Sequence, residues 1–77
     1  MGWEVTSHYR GKPYGYTKIY PFKGFGKILN NDDGTYDWYV YIMSEEGEGI
    51  MFETGISNSL KEAKELVDGY FDLVEEW

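Results

Sequence analysis

Two hydrophobic periods divide the chain. From residue 60 onward, apolar side chains recur every three or four positions: Leu60, Ala63, Val67, Tyr70, Phe71, Val74 and Trp77, with Leu66 and Leu73 beside them. That spacing lines one face of an α-helix. Glu62, Glu65, Asp68, Asp72, Glu75 and Glu76 fall on the opposite face. Ser59-Leu60-Lys61-Glu62 has the form of a capping box. The serine hydroxyl accepts from the N–H three residues on, and the glutamate reaches back to the serine N–H. The pattern predicts a helix over about 60–76. Gly69, inside it, costs roughly 1 kcal/mol relative to alanine, which suggests a close approach to the sheet or a slight bend.

Upstream the period is two. Trp3, Val5, Ser7 and Tyr9 alternate with Glu4, Thr6, His8 and Arg10, giving a first strand over about 2–9. Asn31-Asp32-Asp33-Gly34 reads as a turn, and Asp-Gly favours a tight hairpin joining strands at 25–30 and 36–43. In the second of these, Tyr36, Trp38, Val40 and Ile42 share one face; Asp37, Tyr39, Tyr41 and Met43 share the other. Both faces are largely apolar, so this strand belongs centrally in the sheet. An acidic turn follows, then a last strand at 49–56 in which Ile50, Phe52, Thr54 and Ile56 alternate with Met51 and Glu53. Residues 10–24 carry Gly11, Pro13, Gly15, Pro21 and Gly24, and they form either a short edge strand at 16–20 or a long ordered loop. The expected architecture is α+β: one domain over 1–77, a three- to four-stranded antiparallel sheet, and one C-terminal amphipathic helix on one face. A helix of about 17 residues spans ~25 Å, close to the length of a seven-residue strand, so the layers match.

Seventy-seven residues without a cysteine must draw stability from burial alone, and aromatics at 19% of the chain supply the area for it. Dimerisation is the other way to enlarge so small a core. The longest apolar run, residues 38–43, is far below the roughly 20 residues of a spanning helix. The N-terminus has no signal-peptide pattern. The expectation is a cytoplasmic protein.

Charge is split by position. Residues 1–30 hold five bases and one acid, +4; residues 31–77 hold thirteen acids and two lysines, −11; the sum is the net −7. Such asymmetry points to surface recognition. Catalytic signatures are absent from the sequence. His8 is the lone histidine, the serines lack a nucleophile-elbow context, and the turn at 30–34 fails as a calcium loop because Leu29 and Val40 fall at ligand positions. The expectation is a non-enzymatic protein with no cofactor and no metal. Lys23-Gly24-Phe25-Gly26 begins like an RNA-recognition motif, but Lys27 stands where a stacking aromatic is needed. Lys12, Tyr14, Tyr16, Lys18, Lys23, Phe25 and Lys27 still interleave bases with aromatics, the ingredients of a small nucleic-acid- or peptide-binding module. That is the alternative reading.

The acids are placed against local helix physics. Asp72, Glu75 and Glu76 crowd the helix end where the dipole prefers cations, and Asp68 repels Asp72 at i,i+4. A partner with a basic surface accounts for that placement. The candidate contact set is Asp68, Asp72, Glu75 and Glu76 on the helix and Glu45, Glu46 and Glu48 in the acidic turn, with Asp32 and Asp33 secondary. Aromatic-rich strands followed by a helix that opens Ser-Leu-Lys-Glu-Ala-Lys (59–64) give an outline that resembles the small acidic proteins of bacteriophages and other mobile elements. Anti-CRISPR and anti-restriction proteins are the functionally understood members of that population. The resemblance is one of type, without a motif-level match. It implies an inhibitor of a nucleic-acid-binding defence complex, monomeric or dimeric, acting in the host cytoplasm on the basic groove of a nuclease or CRISPR effector.

Overall fold

A computed structural model describes residues 2–44 and 46–73, the last of these by its backbone. Glu45, Glu75, Glu76 and the expected helical stretch 74–76 lie outside the described residues. The elements are β1 (Glu4–Tyr9), β2 (Lys12–Tyr20), β3 (Gly24–Asn30), β4 (Tyr36–Met43), β5 (Gly49–Ser57) and α1 (Leu60–Leu73). The five strands form one antiparallel meander in chain order, with α1 over one face. This is the expected α+β architecture with more strands than the expected three or four.

The extra length lies in the segment left open between strand and loop. β2 runs from Lys12 despite Pro13, which sits opposite His8 of β1. Pairing of β2 with β3 begins only at Gly15, opposite Leu29. Proline therefore stands where the strand has a neighbour on one side alone, and its missing N–H breaks no interior ladder. β1 departs from strict alternation, with register shifts between Val5 and Ser7 and between Ser7 and His8. Such irregularities blunt an edge strand, and all six β1 residues are exposed. β4 lies inside the sheet as expected, although β3 is the middle strand.

Two local expectations are corrected. The β3–β4 connection is a five-residue loop, 31–35, rather than a tight Asp-Gly hairpin. Asp32 takes a positive φ of 65° and Gly34 one of 90°. Asn30 Oδ1 accepts from Asp32 N–H at 2.9 Å, and Asp33 Oδ1 accepts from Thr35 N–H at 2.9 Å, so two side chains build the turn. In β5 a register shift opposite Val40 and Tyr41 leaves Phe52 as the additional residue, since Val40 pairs with Glu53 and Tyr41 with Met51. The alternation of Ile50, Phe52, Thr54 and Ile56 is broken there. Phe52 turns to Tyr70 of the helix in an edge contact at 6.3 Å. Ile56, opposite Asp37, faces away.

Ile28, Trp38 and Val40 of the sheet meet Ala63, Val67 and Phe71 of the helix in the buried core. Only half of the capping box forms: Glu62 N–H donates to Ser59 Oγ at 3.1 Å. The close approach expected at Gly69 is found elsewhere. A Cβ on Gly69 has nothing within 4 Å, whereas one on Gly26 lands 2.4 Å from Val67 Cγ1 and 3.0 Å from the Trp3 ring. Helix and sheet approach closely over Gly26 of β3.

Candidate partner-binding surface

The meander has two ends. The β2–β3 and β4–β5 turns lie at one, tied by the Met43 N–H to Lys23 C=O bond of 2.8 Å. The β1–β2 turn, the 31–35 loop and the start of α1 lie at the other. The helix runs back toward the first end, where Phe71 stacks on Tyr20 with ring centroids 3.8 Å apart.

Topology therefore sorts the candidate acids. Glu46 and Glu48 sit exposed on the β4–β5 turn, which is closed by Ser44 N–H to Glu48 C=O at 2.8 Å and Glu48 N–H to Ser44 Oγ at 3.1 Å. Asp72, also exposed, borders a hollow of about 640 Å³ lined by Lys18, Ile19, Tyr20, Pro21 and Asp68 at the same end. Among the described residues, none of these three carboxylates has a salt-bridge partner. Asp68 differs: Lys18 Nζ lies 2.9 Å from its Oδ1, and the Tyr20 hydroxyl donates to the same oxygen. Burial, then the bond to Asp68, then the charges of Asp68 and Asp72 push the Tyr20 phenol above its ordinary range. Asp68 is thus neutralised at home and acts as a strut between β2 and α1.

Asp32 and Asp33 stand at the opposite end. Hydrogen bonds from the Thr35 hydroxyl, at 2.5 Å, and its N–H hold the Asp33 carboxyl below the usual carboxylate range. Its role is in the turn. The structure does not gather the six described acids of the candidate set into one plate.

The base-and-aromatic set is divided as well. Lys12 and Tyr14 line a hollow of about 380 Å³ at the end holding Asp32. Tyr16, Lys18 and Tyr20 belong to the helix side of the sheet, with Lys64 Nζ 5.6 Å above the Tyr16 ring. Phe25 and Lys27 lie on the other face, where Phe25 stacks on Tyr41 at 4.6 Å. Lys23 sits on the β2–β3 turn.

Among the described residues there is no group of three or more His, Cys, Asp or Glu that could hold a metal ion, and no helix long and apolar enough to cross a membrane. His8 is exposed on β1.

Two features escaped the sequence reading. One is Phe22, fully exposed at the β2–β3 turn with a positive φ of 66°; the Pro-Phe pair ahead of Lys-Gly was its only trace. The other is the uncovered sheet face, signalled by the two-sided apolar pattern of β4. No protein-family model, curated protein or solved structure matches the chain.

Proposed function

We propose that this is a non-enzymatic binding protein that meets a basic surface of its partner with the acidic end of its sheet. The observation that supports the reading is that Asp72, Glu46 and Glu48 lie at the same end of the sheet, exposed and without salt-bridge partners among the described residues. Carboxylates held on a helix end and a hydrogen-bonded turn compete well for lysines and arginines that otherwise hold phosphates. The resemblance to small phage-encoded acidic proteins supports the basic groove of a nuclease or CRISPR effector as the target, and inhibition of nucleic-acid binding as the outcome.

The test is a DNA-binding titration of such effectors with the protein added. Inhibition should weaken at least tenfold in the Glu46→Lys/Glu48→Lys/Asp72→Lys variant and stay near wild type in Asp32→Asn, at the far end. Inhibition should also fall with added salt, because screening shortens to about 8 Å near physiological ionic strength. Charge reversal without effect on inhibition removes the proposal.

A further inference from the structure

Among the described residues, the helix covers one face of the sheet and no element covers the other. Directly opposed residues share a face, so the registers define a continuous row across four strands: Ile19, Phe25, Tyr41 and Met51. Beyond an intervening row of Thr17, Lys27, Tyr39 and Thr54, Leu29 of β3 and Ile56 of β5 flank Asp37. Ile19, Met51 and Ile56 are 62%, 55% and 68% exposed. In a chain with 21 charged side chains, this face carries Lys27, Asp37 and, at its edge, Glu4. Its net charge is −1 against −7 for the whole.

We infer that this face is the interface between two copies of the chain, packed sheet against sheet. Size supports it. Five strands about 4.8 Å apart and about 23 Å long present about 500 Å² in plan. Two such faces remove more than about 1,000 Å² from water, where specific interfaces begin. Charge selects the occupant. Two strongly acidic copies repel through most of their surface, and this nearly neutral face is where they approach at least cost. Lys27 and Asp37 lie one register step apart on adjacent strands with no salt bridge between them. A twofold copy offers each Lys27 the partner's Asp37. Both acidic ends remain outside the contact, so the dimer displays two of them.

Sedimentation over a wide concentration range tests this with the intact chain. The expected result is a species of twice the 9.0 kDa chain mass, tightening as salt screens the repulsion. Met51→Lys and Ile56→Lys, on side chains already exposed in the single chain, should each weaken the dimer at least tenfold with an unchanged circular dichroism spectrum. Leu66→Lys, an exposed apolar position on the helix, should leave it intact. A monomer at every concentration overturns the inference. So does a dimer insensitive to both open-face variants, or a monomer whose Lys27 and Tyr41 bind single-stranded oligonucleotides.

Discussion

Phe22 occupies the third position of a turn closed by the Lys23 N–H to Tyr20 C=O bond of 3.0 Å. Proline at the second position and φ of 66° at the third give the signature of a type II turn, in which glycine is the favoured third residue. A bulky side chain in this left-handed region costs about 1–2 kcal/mol. Phe22 recovers none of it through contacts, being fully exposed. Glycine relieves the strain but gives the unfolded chain more freedom, worth about 0.5–1 kcal/mol in the other direction. Phe22→Gly should therefore raise stability by about 0.5–1 kcal/mol, read as a higher urea midpoint at constant m-value. Other residues could not be assigned correctly from type alone. Asp33 looks like any surface acid in the sequence, yet it bonds the Thr35 N–H and hydroxyl, because the loop needs acceptors at that point.

Elements were legible where their period was long. The helix start is visible in Ser59 and in the Leu60–Ala63–Val67–Phe71 spacing, because capping and a continuous apolar stripe are local properties. β2 was half hidden, since Pro13 and Gly15 read as breakers. Their tolerance depends on how far β3 extends alongside, which is a tertiary fact. The bulge at Phe52 was hidden for the same reason: its register is set against Val40 and Tyr41. In the candidate site the acids were legible only as residue types along the chain, and the Lys18–Asp68 neutralisation was unseen because it joins residues 50 positions apart. Gly69 tests the helix as an element. A Cβ there meets nothing within 4 Å, and no positive φ is found at this position. Gly69→Ala should stabilise the protein by about 1 kcal/mol through propensity alone. Thermal unfolding should show the midpoint rising by about 4–8 °C, as expected for a domain of this size.

At the scale of the whole molecule, the opposite charges of the two chain halves meet across the layers. Lys18 and Tyr20 of β2 converge on Asp68 of α1, while Phe71 stacks on Tyr20, so one strand residue couples packing and electrostatics. Burial raises the phenols of Tyr16 and Tyr39 as well as that of Tyr20. An unfolded tyrosine releases its proton near pH 10, whereas these phenols keep theirs to higher pH in the fold. Above that point the unfolded chain binds fewer protons than the native one, so stability must fall as pH rises. Below pH 10 the contribution is fully present. Urea midpoints measured from pH 8 to 11.5 should be flat at first and then decline. Tyr20→Phe loses the hydrogen bond to Asp68, worth about 1.5–3 kcal/mol for a charged acceptor, so it should be less stable at neutral pH. Its alkaline decline should be shallower, because the most strongly shifted phenol is gone. Equal slopes in both proteins would place the alkaline sensitivity elsewhere, and the Tyr20–Asp68 contact would then be packing without proton linkage.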